Sequence, residues 1–385
     1  AQNKGDTEDA RHRYKQGAAI SRQIGDRLSE AICLSNIPPD FNNSSWESEI
    51  EKHIRLLDVS EEAGAYPVIA GAYNNIGANN SDRSNIEIAV KCFERAIKIY
   101  NQIGHKGRTA RTYYSMALAY GNVCDYDNAL INYRKCVDGY RSLGILPHEL
   151  YASVSVADTL RRLYRNQESE ELCDEIVNKA ESIKLTAIIP HCLELKMLLQ
   201  TLKGDEQGRR KTFERIRSIE DTQPESSTKS WLSHLRDADL CLQENRLAKC
   251  LKHLDFLKKN PFNYEIRNRN IKYAILIPIY ASLGNQMEVQ NLLSEEYEYI
   301  NNVHPNRREF YGYHLYYLSL EQRLLGNLEK NSEYVFQCLE IGESIGNYQF
   351  VARCNLELIE NSILMSGKVQ KKDLDDLENV HGLIT

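Results

Sequence analysis

No run of about eighteen apolar residues, the length a bilayer-spanning helix needs, occurs anywhere in the 385-residue sequence. The best candidate, Tyr273-Ala-Ile-Leu-Ile-Pro-Ile-Tyr280, is too short and is interrupted by Pro278, so no membrane span is expected. An excess of basic charge is also missing. There are 54 acidic residues against 48 Lys and Arg, interspersed along the chain for a formal charge of −6, and no basic stripe follows a phosphate backbone. Direct binding of nucleic acid is therefore not expected. The ten cysteines include no Cys-x-x-Cys pair and no Cys/His set with zinc spacing, so no metal or other cofactor is implied. Cys124, Cys136 and Cys173 fall instead where a small apolar side chain would pack. Of the two compartments open to such a chain, cytoplasm and bacterial periplasm, unpaired thiols favour the reducing one. The start at Ala1-Gln2 fits a cleaved signal peptide or a plain boundary equally well.

Catalytic signatures are absent too. Gly104-His-Lys-Gly-Arg-Thr109 lacks the order of a phosphate-binding loop and follows a helical pattern where that motif needs a strand, so it reads as a turn. No G-x-G-x-x-G, H-E-x-x-H or G-x-S-x-G pattern occurs. Carboxylate neighbours such as Glu170-Glu171 and Asp375-Asp376 diverge on a helix, as do His191 and Cys192. No catalytic residue can be nominated, and the chain is not expected to be an enzyme.

What the sequence does contain is itself, over and over. One column runs Tyr14, Ile54, Phe93, Tyr133, Cys173, Phe213, Leu254, Leu293, Val335, at gaps between 39 and 42. Four residues earlier stand Ala10, Ala89, Ala129 and Ser169, and three later Ala96, Cys136 and Ile176, all on one helical face. Glycines 25, 64, 104, 144 and 346 follow amphipathic runs, where a left-handed residue closes a helix. A second set, Gly204, Gly284, Gly326 and Gly367, marks the turn inside each unit. Pro67, Pro147, Pro190, Pro261 and Pro305 precede apolar-periodic stretches, and Ser44-Ser-Trp-Glu47 has the form of a capping box after the loop from Ile37 to Asn43. These signs predict an all-α solenoid of about nine helix-turn-helix units in a single domain over residues 1–385. The repeats are clearest over 66–180, with an incomplete first unit at 1–26 and a capping region at 348–385.

The unit Tyr113-x-x-Met116-Ala117-x-x-Tyr120 followed by Tyr126-x-x-Ala129-x-x-x-Tyr133-x-x-Cys136 resembles the tetratricopeptide repeat. So does Tyr73-x-x-Ile76-Gly77 followed by Ala89-x-x-x-Phe93-x-x-Ala96. The period is forty instead of thirty-four, which implies longer helices, and this long form is similar to repeats of bacterial signalling and regulatory proteins. The resemblance implies a right-handed superhelix whose first helices (A) line a concave groove and whose second helices (B) face outward. Register then places Asn74, Arg111, Tyr114, Tyr151, Asp158, Arg161, His191, Glu194, Tyr313 and Tyr316 in the groove. The Lys/Asn clamp of chaperone-binding members is missing, since its positions hold Asn74 and Ala78, then Tyr114 and Leu118. The dense run Phe310-Tyr-Gly-Tyr-His-Leu-Tyr-Tyr317 exceeds what the repeat needs and reads first as extra packing.

The function this implies is a non-catalytic scaffold, the sensor or regulatory region of a bacterial signalling protein. Its groove would take a protein or peptide segment, or a small polar ligand, and inform an output domain outside this chain. The alternative is a structural adaptor that assembles proteins without ligand control. Interior units of such an array bury both faces against like neighbours, whereas the last carries the charged run Lys371-Lys-Asp-Leu-Asp-Asp376. Deleting one interior 40-residue unit should therefore preserve solubility better than deleting 348–385, as soluble yield after expression would show.

Overall fold

The computed structural model describes residues 2–37, 46–83, 85–221, 237–238, 241, 246–259, 269–303, 308–344 and 348–384. The described residues form helices and turns, with no strand among them. They fall into two compact units, Ala1–Leu185 and Thr186–Thr385. In the first unit the helices are α1 (Gln2–Gln23), α2 (Arg27–Ser35), α3 (Trp46–Glu62), α4 (Tyr66–Asp82), α5 (Ile86–Gln102), α6 (Lys106–Asn122), α7 (Tyr126–Ser142), α8 (Leu146–Arg162) and α9 (Asn166–Ser182). The second contains a 3-10 turn at Thr186–Ile188 and then α10 (Ile189–Leu202), α11 (Glu206–Asp221), α12 (Leu247–Lys259), α13 (Arg269–Ser282), α14 (Gln286–Val303), α15 (Arg308–Leu324), α16 (Leu328–Ser344), α17 (Tyr348–Ser366) and α18 (Lys371–Ile384).

The forty-residue period has a simple origin. From α3 to α9 every helix is 17 residues long, and consecutive helices are separated by a three-residue link such as 103–105. The middle residue of the link is left-handed: Gly64, Gly104 and Gly144, but also Cys124, Tyr164 and Lys184, at φ near +60°. The next N–H then reaches back to the carbonyl five residues earlier, as in His105 to Tyr100 (2.8 Å), Asp125 to Tyr120 (3.0 Å) and Leu185 to Ala180 (2.9 Å). That bond closes the orphaned end of the helix before the chain reverses. Cys124 is thus a turn residue and not the packing residue expected from its register, while Cys136 and Cys173 are fully buried as expected.

Close helix approach fixes the pairing. Phe93 on α5 is fully buried against α4, where a Cβ on Gly77 would lie 2.8 Å from the phenyl ring, so the ring as placed here requires glycine. Ala117 and Ala157 hold the same place on α6 and α8, and both are fully buried. Two members of the sequence column are corrected: Tyr14 on α1 is 38% exposed, and on α3 the buried residue is His53 (8% exposed), with Ile54 49% exposed. On α3 the glycine spacing was the better guide, since His53 lies 11 residues before Gly64 as Phe93 lies 11 before Gly104, whereas on α1 Tyr14 has the same spacing to Gly25 and is exposed. Its Nδ1 sits 2.6 Å from the Glu49 carbonyl, which makes the ring tolerable inside.

Polar straps cross three of the links from the end of one helix to the start of the next. Arg22 binds Glu30 at 2.7 Å, Thr109 donates to Asn101 at 2.9 Å, and Arg141 binds Glu149 at 3.0 Å. Glu30 is fully buried and also meets Arg27 at 2.8 Å. Burial alone would raise its pKa, but the two guanidinium groups outweigh it and hold the carboxyl below its ordinary value.

In the second unit left-handed turns recur at Gly204, Gly284, Gly326 and Gly367. A core of Tyr273, Ile277, Ile279, Val289, Leu293, Tyr317, Val335, Cys338 and Cys354 runs through it. Pro67, Pro147 and Pro190 open α4, α8 and α10, and Pro278 lies within α13. Pro261, Pro305, Gly346, Ser44 and most of the 37–43 loop lie outside the described residues. On α18 the exposed face mixes Lys371, Lys372 and Asp375 with outward Leu374 and Leu377.

Two substitutions test this construction. Lys184 is exposed and left-handed, so Lys184→Gly should raise stability by about 1 kcal/mol. Phe93→Ala should cost roughly 3–5 kcal/mol by cavity formation. Denaturant melts of the full chain measure both.

Candidate functional site

In the first unit the A helices α2, α4, α6 and α8 follow one another, α4 packing against both α2 and α6. Polar bonds tie neighbouring A helices together. Asn122 donates to Ser81 Oγ at 3.0 Å, and the Tyr114 hydroxyl meets Ser155 Oγ at 3.1 Å. The helices stand on the small and aromatic side chains shared with their B partners, so their remaining face is free to differ from unit to unit.

A cavity of about 430 Å³ opens on this face between α2, α4 and the start of α6. Its floor and walls include Gly71 and Asn74 of α4, Ser35 and Asn36 after α2, and Tyr100 at the end of α5. The rim carries His105, Arg108 and Arg111, all exposed. The Oδ1 atom of Asn74 is buried without a hydrogen-bond donor among the described residues. An amide oxygen left so is costly. Burial pushes the Tyr100 hydroxyl above its ordinary pKa, and the cations of Arg108 and Arg111 pull it partly back. The site thus offers fixed positive charge at its mouth.

Of the ten residues placed in a groove by register, the structure brings Asn74 and Arg111 together in this cavity. Tyr114 lies beside it in sequence but is half-buried, its ring 5.2 Å edge-on from Tyr133. Tyr151 stands free on α8, 45% exposed. Asp158 is clasped by Arg161 at 2.8 Å and Arg162 at 3.0 Å. Desolvation would raise its pKa, yet the two arginines prevail and keep it ionised below the usual carboxylate value. Arg162 also donates to the Tyr126 hydroxyl at 3.0 Å. Asp158 and Arg161 are accordingly part of a fixed charge network.

In the second unit His191 is exposed and 4.0 Å from Glu194. Tyr313 is half-buried with its ring 4.8 Å from Phe350. Tyr316 is buried at 4% exposure, its hydroxyl accepting from Arg353 at 2.9 Å and its ring lying under the same guanidinium at 4.5 Å. With Tyr317 buried as well, the aromatic run is mostly packing, and Tyr311 alone of its described tyrosines is largely exposed.

Register reasoning missed His105, Arg108, Tyr100 and the α2 end. It looked only at mid-helix A positions, whereas these sit at helix ends and on a B helix. The signal was present in Gly104-His-Lys-Gly-Arg-Thr109, which the structure confirms as the turn into α6 with Gly104 at φ +71°.

Among the described residues no group of three His, Cys, Asp or Glu is placed to hold a metal ion, and no helix is long and apolar enough to cross a membrane. None of the curated proteins matches this sequence. Among solved structures, the chain is similar to the Rap conjugation gene regulator of plasmid pLS20 in complex with the Phr* peptide. The TM-score is 0.52 at 14% identity, covering 98% of this chain and 94% of that one. It is similar too to the apo form of RapI (TM-score 0.51, 14% identity, 86% and 80% covered). A third likeness is to the apo quorum sensor NprR from B. thuringiensis (TM-score 0.51, 11% identity, 95% and 100% covered). At these identities the likeness is one of fold. Residues 68–142, which span α4 to α7, match the tetratricopeptide repeat family.

Proposed function

We propose that this chain is a peptide-binding regulatory scaffold whose A-helix face in the first unit receives an extended segment at the cavity between α2, α4 and α6. The observation that carries the reading is the cavity itself, about 430 Å³ and open on the A-helix face, with Asn74 and Asn75 in its lining and His105, Arg108 and Arg111 at its rim. A peptide backbone offers donors and acceptors that match such amide, hydroxyl and guanidinium groups. A cavity of this size admits one or two side chains of an extended segment and suits a small polar ligand less, since its mouth is open to solvent.

The fold likeness supports the reading: one similar structure is described as holding a peptide and another as a quorum sensor. On that reading the bound segment changes what an output domain or partner protein meets, and the helices themselves perform no chemistry. An assembly adaptor without ligand control remains the alternative, separated by whether short peptides bind at all.

Gly71 lines the cavity, and a Cβ there would meet only the Tyr100 hydroxyl, at an ordinary 3.6 Å. Gly71→Met should therefore plug the site while favouring the helix by roughly 0.5–1 kcal/mol. Peptides selected on the full chain from a random library should lose binding to Gly71→Met with no fall in melting temperature. Arg111→Ala with Tyr151→Ala should leave stability within about 1 kcal/mol yet weaken the selected peptides, and Lys98→Ala on the outward side of α5 should do neither. Binding that ignores Gly71→Met and Arg111→Ala with Tyr151→Ala but responds to Lys98→Ala would place the surface on the B helices.

A further inference from the structure

A second cavity, of about 400 Å³, lies between the B helices α1 and α3 beside the end of α2, and it shares no lining residue with the cavity on the A-helix face. Five of its eleven lining residues are Lys or Arg and only Glu49 is acidic, in a chain whose acids outnumber Lys and Arg by 54 to 48. Arg11, Lys15 and Arg22 stand at intervals of four and seven along α1, which puts them on one face. Ala18 and Ala19 between them are too small to fill the space. Lys52 and Arg55, three apart on α3, complete the set. Lys52 Nζ is held by the Ile37 carbonyl and by Glu49, both at 3.4 Å, which also engages the one acid of the lining. Arg22 gives its Nε to Glu30 at 2.7 Å, so its position is fixed while its two terminal nitrogens stay available. Lys15 and Arg55 are exposed and form no ion pair among the described residues. By contrast Arg13, on α1 but outside the cavity, pairs with Asp9 at 2.8 Å.

We infer that this cavity binds a phosphate group of a small soluble molecule, gripped by Lys15 and Arg55 from its two helical walls and by the pre-positioned Arg22 and Lys52. Like charges gathered around an open space repel one another until an anion enters, so the arrangement adds nothing to the stability of the empty scaffold. Donors converge here from two helices, which matches the oxygens of a tetrahedral dianion on several sides and not a planar carboxylate met by one fork. Leu34 and Ile37 add apolar wall, and the space exceeds one phosphate, so the organic part of a phosphate monoester fits alongside. The inference is independent of the peptide-binding reading, which concerns the A-helix face.

The test uses the full chain with inorganic phosphate, pyrophosphate, adenosine monophosphate and, as a planar monoanion, acetate, all at matched ionic strength. Titration calorimetry measures affinity, and the melting temperature rises when a ligand binds the folded state. The phosphate probes should bind and stabilise where acetate does not, and their affinity should weaken as salt is added. Lys15→Gln with Arg55→Gln should weaken the phosphate probes about tenfold or more. Arg13→Gln, which removes a charge from α1 outside the cavity, should leave them unchanged. The melting temperature without ligand shows that each variant is folded. Tighter binding of adenosine monophosphate than of inorganic phosphate assigns the organic part to the Leu34 and Ile37 wall, and tighter binding of pyrophosphate assigns the site to a polyphosphate end; both support the inference. Absence of binding by every phosphate probe, an equal response to acetate, or affinity undiminished in the double variant would overturn it. Binding to phosphatidic acid vesicles with no response to the soluble probes would overturn it as well and mark the face as a contact for a lipid surface.

Discussion

Everything in this molecule hangs on how closely two antiparallel helices can approach. Where Phe93 presses on Gly77, the ring leaves no room for even one methyl group on the facing helix. Ala89 and Ala96 on the same helix are fully buried, and Ala117 holds the place of Gly77 in the next unit, so each hairpin pairs in one register only. The three-residue links then have no slack: a 17-residue helix must end, turn through one left-handed residue and restart. That requirement is strong enough to force Cys124, Tyr164 and Lys184 into a conformation ordinarily left to glycine. Packing between helices supplies the free energy that holds them there.

This division of labour explains where a ligand site can arise. Core positions and links are committed to the repeat, and the straps Arg22–Glu30 and Arg141–Glu149 spend their charges within the scaffold. The same holds for the Asp158, Arg161 and Arg162 network, in which one carboxylate is shared by two guanidinium groups. The cavity beside α6 is different, because Arg108 and Arg111 form no ion pair among the described residues, Arg108 meeting only the Tyr100 hydroxyl. Polar groups that the fold does not use are the ones available for binding.

The fold was largely legible in the sequence because periodicity is a direct readout of packing. Glycine spacing gave the links, and small-aromatic-small triplets gave the helix faces. It misled where chemistry and register disagreed: Ile54 looks like a core residue and His53 does not, yet it is the histidine, 11 residues before Gly64, that is buried. Cys124 was misplaced because a non-glycine turn residue leaves no compositional mark. The site was only partly legible. Asn74 and Arg111 follow from helix A register, but the cavity also needs the end of α2, Tyr100 from a B helix and the His105 turn, and no single-helix pattern joins these. Tyr316 shows the opposite failure, since a register position that should face a groove is covered by Arg353 and Phe350 in a divergent unit.

The central claim is that the A-helix face around Asn74 and Arg111 is the binding surface of the first unit. Hydrogen–deuterium exchange of the full chain, with and without a library-selected peptide, tests it most directly. The account predicts new protection in 66–82 and 105–112, with 86–98 on the partner B helix unchanged. Protection confined to the exposed side of α5 or α7, with none in α4 or α6, would contradict it.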